Sequence, residues 1–414
     1  MSAFAYRDGE LHAEGVPLSD IAARYGTPCY VYSRAALEHS YLEFAGAFAE
    51  VPHLICYAVK ANPTLAVLNL YARLGSGFDV VSGGELQRVI AAGGDPGKVV
   101  FSGVGKTEAE MESALAAGIL CFNVESAAEL ERLAAVAARA GKVAPVSFRV
   151  NPDVDPRTHP YIATGLKESK FGVAFADALD LYRHAARMRE IAIRGVDMHL
   201  GSQITDLPPF RDAARRLLEL VEQLEREDIA LAHIDLGGGL GIRYQDEIPL
   251  PLVEYAAMIA AVFRGRRETL LFEPGRRLVG EAGVLLTRIE YLKPGTPKNF
   301  AIVDAAMNDL VRPALYDAWH PVDAVRPRDE PPRRWDIVGP VCESGDFLAR
   351  DRELTLAAGD LLAIGSAGAY GMAMSSNYNA RPRACEVIVQ AFDAYLVRRR
   401  ETLTELFACE TTLP

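Results

Sequence analysis

HLICYAVK, residues 53–60, is the first of eight short apolar runs that alternate with helical periodicity. Runs of this length, rich in Val, Ile, Phe and Tyr, are typical of buried strands. The other seven are GFDVVS, KVVFSG, ILCFNV, PVSFRVN, IRGVDMHLG, AHIDLG and TLLFEP, at 77–82, 98–103, 119–124, 145–151, 193–201, 232–237 and 269–274. Alternating β and α units predict a parallel sheet, and eight of them predict a closed (β/α)8 TIM-type barrel of α/β class. From periodicity alone, an open doubly wound sheet remains the alternative.

Amphipathic stretches between these runs predict the barrel's helices. Ser126, three residues before Glu129, predicts a capping box at one helix start. An eighth helix is available at 34–50, after an extended piece at 28–33. The other seven lie at 63–74, 84–92, 107–117, 126–140, 175–188, 208–228 and 251–264.

After Arg276 the sequence changes to short β-rich runs separated by Pro, Gly and charged residues. This pattern predicts a second, C-terminal antiparallel β domain, sandwich- or barrel-like, completed by the N-terminal residues. We therefore place the barrel domain at 26–276 and the β domain at 1–25 plus 277–414. The runs lie at 283–292, 300–304, 336–342, 361–364 and 385–390.

Composition excludes several function classes. The 414 residues include 44 Lys+Arg and 55 Asp+Glu, a net charge of −11 that argues against a nucleic-acid partner. No apolar stretch reaches the about 18 residues that span a bilayer, and the opening residues lack a signal-peptide core. We therefore expect a soluble, cytoplasmic protein with no membrane partner.

Short motifs of common metal, nucleotide and serine esterase sites are absent. The six cysteines form no CxxC pair and the eight histidines no HExxH, so we expect neither a disulfide framework nor a metal site. The GKT at 105–107 lacks the earlier glycine of a P-loop, and GGGLG at 237–241 does not fit the dinucleotide motif GxGxxG. There is no GxSxG. Nucleotide hydrolysis, Rossmann-type redox chemistry and serine esterase chemistry are therefore disfavoured.

Polar and glycine residues stand where the predicted strands end. In barrels of this type the active site lies at that end of the strands. For Ser102 and Asn123, taken singly, the ordinary polarity of strand ends is the preferred explanation. The full set is Lys60, Asp79, Ser102, Asn123, Arg149, His199, Gly237–Gly241 and Glu273.

Lys60 ends an apolar strand, where desolvation is expected to lower its pKa and free an amine for Schiff-base chemistry. The glycines at 237–239 and the pair Gly275-Arg276 follow strands seven and eight, where barrels commonly bind phosphate. A reactive lysine with a phosphate cradle suggests pyridoxal phosphate (PLP). Glu273 could then face the pyridine nitrogen and His199 the flat face of the ring, although His199 alone could be an ordinary core histidine.

Eight motifs in order carry a family resemblance. YAVKAN at 57–62, FDVVSGGE at 78–85, HLGSQ at 199–203, GGGLG at 237–241 and EPGR at 273–276 resemble the fold-type III PLP-dependent decarboxylases. The later segments are similar to the diaminopimelate decarboxylase family in particular; they are CESGD, GAYGM and NYN at 342–346, 368–372 and 377–379. The resemblance spans about residues 25 to 390.

The resemblance implies PLP-dependent decarboxylation of meso-2,6-diaminopimelate to L-lysine and CO₂, the last step of lysine biosynthesis. It implies a homodimer in which Cys342, as general acid, acts on the neighbouring subunit's PLP, and a mobile lid at 152–171. The implied catalytic residues are Lys60, Cys342, His199 and Glu273. The implied cofactor-binding residues are Lys60, Asp79, Arg149, His199, Ser202, Gly238, Gly239, Glu273, Gly275, Arg276 and Tyr370. The implied substrate-binding residues are Arg276, Arg312, Tyr316, Glu343 and Tyr370.

Other activities remain open at this point. A decarboxylase of ornithine, arginine or carboxynorspermidine has the same fold, but a substrate without a distal carboxylate has no evident need for both Arg312 and Tyr316. An alanine racemase would need a second catalytic base, a tyrosine. A non-catalytic PLP-binding regulator could keep the fold while losing the lysine or the acid, whereas this chain keeps both Lys60 and Cys342.

Overall fold

The computed structural model describes residues 3–154 and 170–414. The chain divides into two compact units, one made of residues 41–242 and 248–277, the other of residues 1–40, 243–247 and 278–414. The domain limits that we placed at residues 26 and 276 stay a prediction, because compact packing does not test which part folds independently.

The first unit contains a closed parallel barrel. Each of its eight strands pairs in parallel with the next, and the eighth returns to the first through Leu270 opposite His53. This closure confirms the TIM-type barrel and excludes the open sheet. The strands are His53–Ala58, Gly77–Val80, Val99–Phe101, Cys121–Val124, Ala144–Asn151, Ile191–Asp197, His233–Asp235 and Thr269–Phe272.

The helices of the described chain agree closely with the predicted positions. Ser126 caps one of them by accepting the Glu129 N–H, but the Glu129 carboxylate accepts from the Glu125 N–H and from Lys106 instead of returning to Ser126. The expected capping box is therefore half formed. The helices between and around the barrel strands are Arg34–Ala47, Leu65–Arg73, Gly83–Ala91, Glu108–Ala117, Ala127–Ala140, Phe175–Ala185, Leu207–Glu225 and Leu252–Val262.

Apolar side chains fill the barrel and its outer layer. Cys56, Val100, Cys121 and Leu271 form a buried cluster contributed by four different strands. In the outer layer, aromatic rings pack against the eighth strand, as shown by the 4.2 Å between the ring centroids of Phe48 and Phe272. This packing fixes the strands and so the positions of the polar side chains at their ends.

The second unit contains a nine-stranded sheet and a separate three-stranded sheet. Antiparallel pairs predominate, which confirms the predicted second β domain. Two pairs are parallel, Cys29–Ser33 with Cys385–Gln390 and Phe300–Val303 with Arg333–Val338. The remaining strands are Phe4–Arg7, Glu10–Ala13, Val16–Pro17, Gly283–Lys293, Val322–Ala324, Phe347–Leu354, Leu361–Ile364 and Asp393–Arg398.

The described chain also contains short helices outside the barrel's outer layer. Two short α-helices, Leu18–Tyr25 and Arg312–Tyr316, lie in the second unit, and Arg276–Val279 follows the last barrel strand. Within the described ranges, no helix has the length and apolar character needed to cross a bilayer.

Candidate active site

Lys60 lies in a single helical turn, Val59–Ala61, directly after the first barrel strand. Its Nζ donates to Oδ2 of Asp79, at the end of the second strand, over 2.6 Å. Asp79 is fully buried, whereas the Lys60 side chain is 34% exposed. Lys60 is therefore less desolvated than its apolar strand led us to expect. It is held by a buried carboxylate and stays accessible to an aldehyde.

Glu273 lies at the end of the eighth strand and is 4% exposed. Its Oε1 accepts from Nδ2 of Asn123 at 3.3 Å, and the same amide group donates to Oγ of Ser102 at 3.1 Å. For Asn123 and Ser102 we had preferred an ordinary strand-end role. The structure instead links Asn123 directly to the carboxylate of Glu273.

Two further carboxyls lie beside Glu273. Ligand atoms of Asp197, Asp235 and Glu273 are all within 4.8 Å of one another. Oδ1 of Asp197 and Oδ2 of Asp235 are buried without a hydrogen-bond partner in the part of the chain that the structure describes. Three carboxyls at this spacing could also hold a cation, so the expected absence of a metal stays a prediction.

Burial decides the protonation of this carboxyl cluster. Burial, and after it the neighbouring acids, raises the pKa of Glu273 and of Asp197 well above the ordinary values. Burial also raises the pKa of Asp235 to about 7. The cluster therefore keeps protons near neutral pH, and a positive charge brought against Glu273 would favour its ionised form.

His199 follows the sixth strand. Its Nδ1 accepts the N–H of Gly238 at 3.2 Å and lies 4.0 Å from Oε2 of Glu273. Burial, then the charges of Arg149 and Lys60, lowers the pKa of His199 well below its ordinary value. The ring is therefore neutral at physiological pH, and the Gly238 hydrogen bond assigns its proton to Nε2.

The turn after the seventh strand requires glycine. A Cβ added to Gly238 would collide with the carbonyl oxygen of Glu273, and Gly239 has φ +108 and would meet the Gly201 carbonyl at 2.6 Å. Because no side chain covers this backbone, its N–H groups can approach an anion closely. Gly275, beyond the eighth strand, is less crowded: a Cβ there would lie 3.0 Å from the Cβ of Ala61 and 3.2 Å from that of Ala58.

Arg276 and Ser202 add polar groups to the same unit. Arg276 is 7% exposed, and its Nη2 donates to Oγ of Ser202 at 3.0 Å. The loop of Ser202 runs beside the glycine turn, since the Ile204 N–H donates to the Gly239 carbonyl at 2.9 Å. A guanidinium, a hydroxyl and bare backbone amides are suitable ligands for a phosphate.

Arg149 lies two residues before the end of the fifth strand, Ala144–Asn151. Its Nη1 lies 3.5 Å from Oε1 of Glu125, which also accepts the Gly103 N–H, and its guanidinium lies 4.8 Å from the Phe171 ring centroid. Arg149 thus influences the site through its charge, which favours the neutral form of His199.

The remaining site residues predicted from the sequence lie in the second unit. Cys342 and Glu343 are exposed in a turn after the strand Arg333–Val338, and Tyr370 is partly buried with φ +56. The stretch 152–171, predicted to be a lid, has its residues 155–169 outside the described part of the chain.

Arg312 is buried at the start of its short helix, and the half-buried Tyr316 ends that helix. Arg312 Nη1 lies 2.7 Å from Nε2 of His320, whose Nδ1 is 2.8 Å from the Gly365 carbonyl oxygen. The guanidinium also lies 4.5 Å from the Tyr244 ring centroid. Its position is therefore fixed by neighbours within its own unit.

Sequence reasoning missed Asp197 and Asp235. The available signal was the alternation of side chains along a strand: Asp197 and His199 are two residues apart, as are Asp235 and Gly237. Residues with that spacing face the same side. A carboxylate inside an apolar strand would therefore have indicated the cluster.

Comparisons with known proteins identify the family of the chain. The family model "Pyridoxal-dependent decarboxylase, pyridoxal binding domain" matches residues 34–280. The chain is 62% identical over 414 residues to the diaminopimelate decarboxylase of Pseudomonas aeruginosa, covering 100% of both chains.

Solved structures show the same fold. Diaminopimelate decarboxylase of Helicobacter pylori complexed with L-lysine is 41% identical, with a TM-score of 0.92 over 95% of this chain and 99% of that one. The M. jannaschii diaminopimelate decarboxylase in co-complex with L-lysine is 37% identical, with a TM-score of 0.95 over 100% and 99%. The chain therefore belongs to the diaminopimelate decarboxylase family of pyridoxal-dependent decarboxylases.

Proposed function

We propose that this protein uses PLP to decarboxylate meso-2,6-diaminopimelate to L-lysine and CO₂, the last step of lysine biosynthesis. The observation that carries the proposal is the grouping of Lys60, Asp79, His199 and Glu273 with a glycine turn at one end of the barrel. Full-length relatives that are named diaminopimelate decarboxylases, two of them solved with L-lysine, support the substrate and the product.

The residues at the barrel end fit PLP. The amine of Lys60 would hold the cofactor's aldehyde carbon, and the backbone amides of Gly238, Gly239 and Gly275 would hold its phosphate. Ser202, Arg276 and Tyr370 would add polar contacts to that phosphate, while Asp79 and Arg149 would set the charge around the ring. When bound, PLP accepts the electron pair that remains on Cα after CO₂ leaves.

Glu273 and His199 would set the protonation around the cofactor ring. An ionised Glu273 oxygen would accept a hydrogen bond from a protonated ring nitrogen, a cation that the carboxyl cluster can accommodate. The proton that Glu273 would give up can stay with Asp235, whose pKa burial raises to about 7. His199, neutral and flat, would pack against the ring without adding a second positive charge.

The residues of the second unit would recognise and protonate the substrate. Arg312 and Tyr316, together with Arg276 of the barrel unit, would bind the carboxylate at the non-reacting end, where a guanidinium can make two charge-assisted hydrogen bonds. Glu343 would bind the distal ammonium, and Tyr370 would contact the substrate. The thiol of Cys342 would donate the proton that replaces CO₂ at Cα.

We propose that the protein works as a cytoplasmic homodimer in which Cys342 serves the neighbouring subunit. Cys342 and Glu343 are exposed on the single chain, as a residue that acts on a second copy must be. Mixing inactive Lys60→Ala and Cys342→Ala subunits should restore activity at about a quarter of all sites, since only one site of each hybrid dimer is intact. No restored activity would contradict this shared site.

The function is tested with the purified protein. An absorbance spectrum should show bound PLP, and added meso-diaminopimelate should yield CO₂ and L-lysine in equal amounts. Ornithine in a parallel assay is the control, because it has a distal ammonium but no distal carboxylate. Faster CO₂ release from ornithine would contradict the proposed substrate and favour the related basic amino acid decarboxylases.

A further inference from the structure

The carboxylate of Asp346 stabilises the turn that carries Cys342 by accepting backbone hydrogen bonds. This carboxyl is 4% exposed, its Oδ2 accepts the Val341 N–H at 2.8 Å, and its Oδ1 accepts the Met307 N–H at 2.6 Å. The Glu343 N–H donates to the Val341 carbonyl at 2.8 Å, and the Asp346 N–H to the Glu343 carbonyl at 3.1 Å. The backbone next to Cys342 is therefore fixed on its N-terminal side.

The side chain of Asn379 binds the backbone N–H of Cys342, the residue after Val341. Its Oδ1 accepts the N–H of Cys342 at 2.8 Å, and Asn379 itself has φ +54, a left-handed conformation that asparagine tolerates better than most residues. The segment of Asn379 is tied down in turn by Arg381, whose Nε donates to Oδ1 of Asn308 at 3.0 Å. The side chain of Asn379 is thus in a defined place although the residue is exposed.

The contacts from Asp346 and Asn379 fix the backbone around Cys342, while Cys342 itself is exposed. Residues 342–344 are all exposed and belong to no strand or helix, so the position of Cys342 depends on these individual hydrogen bonds. A proton donor must reach its acceptor with defined geometry, and a displacement of about 1 Å can reduce the rate by about 100-fold. A hydrogen bond to the amide of the donor residue itself is a direct way to prevent such a displacement.

We propose that Asn379 is a positioning residue for Cys342, acting through the Cys342 amide, with Asp346 holding the other side of the same turn. The proposal rests on the proposed role of Cys342 as proton donor. It gives a task to the NYN motif at 377–379, to which neither cofactor nor substrate binding assigned one.

The test compares two substitutions that both tolerate positive φ. Asn379→Gly removes the acceptor, and Asn379→Asp keeps an acceptor oxygen at the same place. In the PLP-loaded enzyme, Asn379→Gly should lower kcat by roughly 10- to 100-fold, with KM and PLP absorbance close to the wild-type values. Asn379→Asp should stay within about threefold of wild-type kcat. Hydrogen exchange at the Cys342 amide should be faster only in Asn379→Gly.

Cys342→Ala separates failure of this inference from failure of the proposed function. If Cys342→Ala retains full activity, the thiol is not the proton donor and both ideas are wrong. If Cys342→Ala is inactive while Asn379→Gly has wild-type kcat, the positioning role alone is overturned. Equal losses in Asn379→Gly and Asn379→Asp would also overturn it, because the acceptor would then be irrelevant.

Discussion

Functional side chains are held in place by different means at the barrel end and at the Cys342 turn. At the barrel end, Lys60, Asp79 and Glu273 project from the ends of strands, and both carboxyls are buried. In the other unit, Cys342 is exposed, and its turn is held by the side chains of Asp346 and Asn379. The first arrangement is rigid because the sheet is rigid. The second depends on a few individual hydrogen bonds.

This difference predicts where substitutions act. Changes at the barrel end should alter cofactor binding, protonation and folding together, because Lys60 is paired with the buried Asp79 and Glu273 belongs to the buried carboxyl cluster. Changes near Cys342 or Arg312 should alter turnover or substrate binding and leave the fold intact. Substitutions of Lys60, Lys106, Arg312 and Asp235 test that division.

Lys60→Ala should abolish the absorbance of bound PLP and lower turnover by at least about 10⁴-fold, because it removes the amine proposed to bind the cofactor covalently. Absorbance spectra and CO₂ release measure the two effects. Lys98→Ala is the control, since Lys98 is half-buried and its Nζ donates to the Gly75 carbonyl. PLP absorbance that survives in Lys60→Ala would mean that another lysine holds the cofactor.

Lys106→Met should lower the free energy of unfolding by about 3–5 kcal/mol, as expected when one partner of a buried ion pair is removed. The Lys106 Nζ donates to the Gly103 and Asn123 carbonyls and to Oε1 of Glu129, each at 2.8 Å. Urea denaturation measures the change. The double variant Lys106→Met with Glu129→Gln should recover part of it, because no unpaired buried charge is left. An unchanged unfolding midpoint would show that the stability of the fold does not depend on the Lys106–Glu129 ion pair.

Arg312→Lys should raise KM for diaminopimelate by roughly 10- to 30-fold with a smaller change in kcat, since lysine cannot form the forked contact with a carboxylate. Steady-state kinetics measure both constants, and thermal unfolding should be close to that of the wild type. Arg350→Lys is a matched control, because Arg350 is exposed. A loss of kcat at constant KM would place Arg312 outside substrate binding.

Asp235→Asn should make stability less dependent on pH. Between its ordinary value of 3.8 and about 7, folded Asp235 keeps a proton that the unfolded chain has lost. The free energy of unfolding therefore falls as pH rises through that range, and asparagine removes this contribution. We expect a difference of about 1 kcal/mol, because Asp197 and Glu273 titrate with it. Denaturation at several pH values measures it, and parallel curves for the two proteins would contradict the protonated cluster.

The sequence predicted the barrel well because its signal is local and repeated. All eight predicted strands are present, each with helical periodicity beside it. The polar strand ends followed from the same pattern, since parallel strands bring their carboxyl ends to one edge. Lys60, Glu273 and the glycine turn were therefore identified from the residues themselves.

The rest of the site could not be derived in this way. Arg312, Glu343 and Cys342 lie on turns and a short helix, where no periodicity relates a residue to its neighbours in space. Only the family resemblance indicated them. The tie between Asn379 and the Cys342 amide joins segments 37 residues apart, and such a contact becomes visible only in the folded structure.

The central claim is that PLP attaches to the amine of Lys60. It is tested most directly by reducing the PLP-loaded protein with borohydride and mapping the labelled peptide by mass spectrometry. The label should lie on Lys60 alone and be absent after meso-diaminopimelate is added in excess before reduction. A label on Lys98, Lys106 or any other lysine, with Lys60 unmodified, would contradict the account.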